Sequence, residues 1–264
     1  MFDAKFDKLI IDSIDTVTAL DRTTSEIVFI HDEIKEGSIE NGGELQFGTG
    51  AHGKRVSSMY TNKTSKLSYK NAYVVASSLA AKIGANITEA SSENKFVVPD
   101  VQFAKVDTAE AEASATLKNK PIVDSLKFVY AAQKDMTQGE KLLLTTDFTV
   151  SGNKITFTEA GKKKLTDVNV VIVPYEYEAT VGKRISNDSE KYAKNVKLIV
   201  DLLLRDVCDN SQLYHAKMVY YNCAPDMNDT ISIGDEPAVE DFSAESMVDP
   251  CSADKLYWDM YIVE

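Results

Sequence analysis

The chain has little of what reaction centres and metal sites are built from. Its 264 residues include three cysteines and three histidines. Cys208, Cys223 and Cys251 are odd in number, and their spacing fits no zinc pattern. There is no GxSxG nucleophile elbow, no phosphate-cradling P-loop and no HExxH pair. No cysteine and histidine are accompanied by an orienting third group. No window approaches the ~20 apolar residues that a membrane-crossing helix requires. The first residues, Met1-Phe-Asp-Ala-Lys-Phe-Asp-Lys8, carry acids and no small-residue cleavage site, so they do not read as a signal peptide. Base is also in deficit. The formal net charge is −12, and a surface this acidic repels phosphate backbones, which excludes tight nucleic-acid binding through counterion release.

The few chemically suggestive residues do not converge. His31 precedes Asp32 and Glu33, but neighbours on a strand point to opposite faces. His52 falls in a flexible segment and reads as a surface or interface residue. His215 reads as half-buried in a strand. Gly48, Gly50 and Gly53 are spaced like part of a dinucleotide loop, yet polar residues and a strand follow where a helix is needed. The acids from Asp226 to Glu236, with Glu240 and Asp241, lack the glycine and closing glutamate of a calcium-binding EF-hand loop. They read as solvated loop charge, with weak calcium binding as the alternative. Cys208 and Cys223 flank an Asp209-Asn210 turn, where either a cross-strand disulfide or reduced thiols would fit.

What the chain does have is strand. Leu9–Ile14 and Glu26–His31 are short β-type runs around an Asp21–Thr24 turn and predict an opening hairpin. From Asp32 to Ser58 no periodicity is visible, and six of the twelve glycines fall there. This reads as a long loop ordered by a partner, because structureless loops beyond roughly a dozen residues are rare inside a compact domain. Met59–Tyr69 reads as a strand. Asn71 reads as the N-cap of a helix from Ala72 to Gly84, with Ala72, Ala76, Leu79, Ala80 and Ile83 on one face. Further strands are expected at Val97–Val106, broken by Pro99-Asp100, and at Thr108–Lys118, Val123–Tyr130 and Leu142–Val150. Ser151-Gly152-Asn153-Lys154 predicts a tight hairpin turn. In Val168–Glu178, Pro174 predicts an edge strand or a bulge. Glu176 and Glu178 are expected on one face of that strand, with Tyr175 and Tyr177 on the other. Asn195–Cys208, Gln212–Cys223 and Lys255–Val263 complete the pattern. Roughly ten to twelve strands, one helix and no βαβ alternation predict a mainly β protein, a sandwich or barrel with one packed helix.

In order, these features resemble phage tail tube proteins, whose subunits stack as rings in the tails of long-tailed bacteriophages. Three segments carry the resemblance: the opening hairpin with the Gly-containing segment Glu36–Ser58; the strand-then-helix unit Tyr60–Gly84; and the strand pair Val196–Cys223 with its acidic loop and final strand. The hairpin around Ser151-Gly152-Asn153 is similar to those of other virion proteins. The stretch from Ala85 to Ala179 reads as elaboration or a small inserted β domain. The resemblance implies a structural protein without catalytic residue, metal or cofactor. It implies six-fold rings around a lumen, partners in further copies and in tape-measure, terminator and baseplate proteins, and residence in the virion tail after synthesis in the host cytoplasm. DNA would pass without specific binding, and no membrane would be involved. The long loop, with Gly42, Gly43, Gly48, Gly50, His52 and Gly53, would dock on the neighbouring ring. Glu176, Glu178, Asp226, Asp229, Asp235 and Glu236 are candidates to face the lumen, where like charge keeps DNA off the wall. Two alternatives remain: another β-rich phage component such as a terminator, baseplate or decoration protein, or a carbohydrate-binding sandwich stacking sugars on Tyr175, Tyr177, Tyr257 and Trp258.

Overall fold

A computed structural model describes residues 8–108, 112–207, 211–228, 239–249 and 253–263. The chain divides into two compact units, residues 1–87 with 185–264, and residues 88–184. The first opens with β1 (Leu9–Asp21), β2 (Ile27–His31), β3 (Ile34–Thr49), β4 (Arg55–Asn71) and helix α1 (Ala76–Lys82). β5 (Ile87–Glu89) leads into the second unit. There follow β6 (Phe96–Asp107), β7 (Ser114–Thr116), β8 (Phe128–Ala132), β9 (Gln138–Leu143), β10 (Phe148–Ser151), β11 (Lys154–Phe157), the short helix α2 (Glu159–Lys162) and β12 (Val170–Ala179). β13 (Lys183–Ile185) pairs with β5 where the chain returns. β14 (Val196–Asp206), β15 (Leu213–Pro225), β16 (Glu240–Ser246) and β17 (Trp258–Val263) complete the first unit.

Each unit is one curled antiparallel sheet, and connectivity dictates the curl. In the first unit the strand path is β2-β1-β14-β15-β16-β4-β3, with β17 branching onto β15. β2 and β3 lie at opposite ends of this path, yet only Asp32 and Glu33 join them. Two residues cannot span a flat seven-strand path, so the sheet wraps until its ends meet. The Ala72 amide donates to the Glu33 carbonyl, 2.9 Å, extending the β3–β4 ladder by one step. Gly37 sits so close to β1 that a Cβ there would lie 2.3 Å from Ile14 Cδ1. The second unit repeats the logic. Its path is β10-β11-β7-β6-β12-β8-β9, and the terminal strands β9 and β10 are joined by residues 144–147 alone.

Alternation fills the two cores. Along β14, Val196, Leu198, Val200, Leu202 and Leu204 point inward and are almost wholly buried. Each fully buried aliphatic of this kind contributes about 1.5–3 kcal/mol. Tyr214, Ala216, Met218 and Tyr220 of β15 meet them, with Val17 and Ala19 of β1. The core of residues 88–184 is separate and is built on Val129, Leu142, Phe148, Ile155, Phe157, Val171 and Val173. There the Asp147 carboxylate is buried, accepting from the Leu143 amide (2.8 Å) and from Lys164 Nζ (2.9 Å). Those two donors, the amide first, hold it below the usual carboxylate range.

Several expectations need correction. The segment after β2 is no loop but the hairpin β3–β4. Helix α1 begins four residues later than expected and is preceded by Val75, while Asn71 ends β4 with its amide donating to the Tyr73 carbonyl, 2.8 Å. Gly84 does follow the helix, at φ +69°, where a Cβ would meet the Tyr192 carbonyl at 2.2 Å. β6 runs unbroken through Pro99, which pairs with Glu176. β12 is an interior strand in regular register; Pro174 sits beyond Val171 and Ile172, where the ladder to β8 has ended. Leu142–Val150 is two strands separated by a turn, and the expected Val123–Tyr130 strand starts at Phe128. His215 is exposed rather than half-buried. The Ser151–Lys154 hairpin and the opening hairpin stand where the sequence places them. The Asp209-Asn210 turn, Cys208 and Cys251 lie outside the described residues. Cys223 is buried, and burial pushes its thiol up to about 12.

Helix α1 is held by charge as well as by packing. Glu240, the first residue of β16, is buried with its carboxylate under the helix. It accepts from the Val75 amide (2.8 Å) and Ser78 Oγ (2.6 Å) and pairs with Lys82 Nζ (2.9 Å). Lys82 Nζ also donates to the Asp241 carbonyl, 2.6 Å. On the sheet side, His31 Nε2 lies 3.5 Å from a Glu240 carboxylate oxygen, and His31 Nδ1 is 2.7 Å from Tyr69 Oη. Phe29, Tyr69 and Phe242 enclose the group. Burial alone would raise the Glu240 pKa. Interactions with His31, Ser78, the Val75 amide and Lys82 outweigh burial and hold it at about 2. The same carboxylate and burial push the Tyr69 phenol well up, burial being the larger cause.

A folded-state pKa below the ordinary 4.5 means stability that is complete above that value and lost as pH falls towards 2. The amount is on the order of 3 kcal/mol. Glu240→Gln strands Lys82 in the core and should cost about 3 kcal/mol in denaturant unfolding at pH 7. The variant should also lose much of the wild-type decline in stability between pH 5 and pH 2.5. An unchanged pH profile would remove Glu240 from this role.

Candidate functional site: a two-stranded arm

β3 and β4 outrun the barrel that they close. β4 pairs with β16 only over Lys66–Asn71. From Gly42 to Thr49 and from Arg55 to Thr64, the two strands are paired with each other and with no third strand among the described residues. The paired stretch projects about 25 Å at the usual rise per residue. Nearly every residue in it is exposed. A lone two-stranded hairpin is at best marginally stable in water, so this arm is a piece of secondary structure short of a partner.

Its root is bracketed by the last strand. Tyr257 Oη donates to the Lys63 carbonyl (2.8 Å), Trp258 Nε1 donates to Asn41 Oδ1 (3.3 Å), and Lys63 Nζ lies over the Tyr257 ring. Both aromatics are thereby committed to the arm. Tyr175 is buried in the other core.

The expected contact residues map onto the arm with one change of structure. Gly42, Gly43 and Gly48 lie within β3, while Gly50, His52 and Gly53 form the tip, a single tight turn at Ala51–Gly53. Here the Gly50 amide donates to the Lys54 carbonyl, 2.8 Å, and His52 adopts φ +70°. Register shifts at Gly42/Glu44 and Gly48/Thr49 bend the arm.

The arm has an apolar face that glycine counting does not reveal. Leu45 pairs with Tyr60 and Phe47 with Ser58, so Leu45, Phe47 and Tyr60 share one side. Arg55 stacks its guanidinium over the Phe47 ring, 3.9 Å from its centre. Tyr60 is 78% exposed, the condition of a side chain that packs on nothing within its own subunit. The Leu45-x-Phe47 spacing was the available signal, but it is two residues long.

The candidate lumen acids fall in both units. Glu176 and Glu178 are exposed neighbours on β12, opposite Tyr175 and Tyr177 as alternation requires, and Glu178 pairs with Lys95 at 2.6 Å. Asp226 is tied up locally: it accepts from the Asn228 amide (2.9 Å) and from Ser243 Oγ (3.3 Å), and the amide foremost holds its pKa down. Asp229, Asp235 and Glu236 lie outside the described residues. Among the described residues, no cluster of His, Cys, Asp or Glu could hold a metal ion, and no helix is long and apolar enough to cross a membrane.

Among the described residues the chain forms two curled β-sheets and an arm that no third strand supports. The chain belongs to the YomU/Tube protein family, whose model matches residues 9–256; these are phage tail tube proteins, structural and non-enzymatic components of the virion tail. No curated protein matches the chain.

If the arm lacks a partner in the isolated subunit, its amides should exchange with solvent at nearly unprotected rates. Those of β14 and β15 should be protected by many orders of magnitude. Hydrogen-exchange mass spectrometry of the dilute subunit reads this directly, and strong protection across residues 44–60 would contradict it.

Proposed function

We propose that the subunits form six-membered rings stacked into a hollow tube that conducts DNA, and that the β3–β4 arm is the contact between successive rings. The observation that carries this reading is a two-stranded hairpin exposed on both faces in a chain of the tail tube family. Other tail components, the tape-measure, terminator and baseplate proteins, would meet the tube along its bore and at its ends. Residues 88–184, with their own core, would be an elaboration on the tube-forming unit.

The net charge of −12 suits a conduit. Repulsion keeps DNA from adhering, over a range that screening limits to about 8–10 Å at ordinary salt. Glu176 and Glu178 are the exposed acids proposed to face the DNA path. Reversing both to lysine should leave rings intact and slow DNA release, and release at the normal rate would remove them from the lumen.

Because Gly42 and Thr64 pair directly across the hairpin, residues 43–63 can be replaced by an Asn-Gly turn at the cost of the Tyr257 contacts to Lys63. The shortened chain should fold with unchanged cooperativity and form no tubes in negative-stain microscopy. Tubes of normal length from this variant would show that the arm is not the axial contact.

A further inference from the structure

The arm has a complementary surface on its own chain, at the one place it cannot reach. Lys54, Arg55 and Lys63 against Glu44 give residues 42–64 a formal charge of +2, so the rest of the chain carries −14. The opposite end of the same hairpin, its foot, is acidic. Asp32 and Glu33 precede β3, Glu36 lies in its first turn of strand, and Asp241 pairs across from Lys70. Asp226 lies beside them, its amide donating to the Ser243 carbonyl at 2.8 Å. With Lys35 and Lys70 counted, these five acids leave the foot at −3.

The foot is also shaped and partly apolar. Glu36, Ser68, Lys70, Asp226, Asp241 and Ser243 line an open groove of about 220 Å³. Met227, next in the chain to groove-lining Asp226, is exposed, and so are Tyr73 and Val74, where Tyr73 Oη donates to Asp32 just before β3. Glu33 and Asp241 present exposed side chains there.

Sixteen residues of β3 separate foot from tip, about 50 Å along the strand. An arm therefore cannot close on its own foot. Matching surfaces at opposite ends of one hairpin pair head to tail between copies, and a heterologous contact of this kind propagates as an open stack. We propose that the arm of one subunit docks on the foot of a subunit in the next ring. The Leu45, Phe47 and Tyr60 face would pack against Tyr73, Val74 and Met227, and Lys54 and Arg55 would meet Glu33, Asp241 and Asp226. This rests on the reading of the arm as the axial contact and adds the surface that receives it.

The test is a charge swap scored by sedimentation and negative-stain microscopy at low salt, with thermal unfolding confirming each fold. Lys54→Glu with Arg55→Glu in the arm, or Glu33→Lys with Asp241→Lys in the foot, should each reduce the assembled fraction about tenfold or more. Combining all four should restore assembly to within about threefold of wild type, since the paired charges are again opposite. Should the reversed foot unfold, the milder pair Glu33→Gln and Asp241→Asn keeps the question open to measurement, with a smaller loss that grows on lowering salt. A fourfold variant no better than either pair, while the arm-shortened chain still fails to assemble, overturns the foot as receptor and leaves the arm's role standing. Normal assembly of the arm-shortened chain overturns both.

Discussion

Asp32 and Glu33 are the whole connection between two strands at opposite ends of one seven-strand path. Everything else about the first unit follows from that shortness. The sheet must wrap, its apolar face must turn inward, and β3 must start at the seam. Closure uses only the first part of β3 and the last part of β4. What remains has no sheet to join, so the constraint that makes the barrel also ejects the arm. A longer β2–β3 connection would permit an open sheet in which β3 continues without projecting.

The buried Glu240 group locks this arrangement in place. Glu240 is on β16, His31 on β2, Tyr69 on β4 and Lys82 on α1, so four elements must be seated before the group is assembled and Glu240 meets Lys82. Removing a carboxylate and an ammonium from water is costly, and a hydrophobic quartet of similar volume could hold the helix as firmly. The ionic version adds selectivity, because any other seating of α1 strands a charge in an aromatic box. A tube subunit benefits from that rigidity: errors in the seam would be repeated in every copy.

Exposed apolar residues take on a single meaning in this setting. Leu45, Phe47 and Tyr60 are exposed on the arm, and Tyr73, Val74 and Met227 are exposed at the acidic foot of the same hairpin. The proposed docking of arm on foot would make growth of a stack one-directional. The excess acid on the remainder of the chain opposes side-by-side aggregation of free subunits. The basic arm is the exception to that charge, and its position matters more than its size.

Much of the fold was legible in the order of residues. The half-apolar runs around β14 and β15 announced paired strands, and the Ser151–Lys154 turn announced its hairpin. Those signals are local, and local periodicity survives in any fold that buries one face. The sequence did not disclose β3, because alternation records burial and an arm wet on both faces has none to record; its glycines then looked like a loop. Nor did it place Asn71, Lys82 or Glu240, since a helix pattern cannot show that its one lysine points inward to a carboxylate 158 residues away in the chain. That choice was made by the closed barrel, which alone brings β2, β4, β16 and α1 to one point.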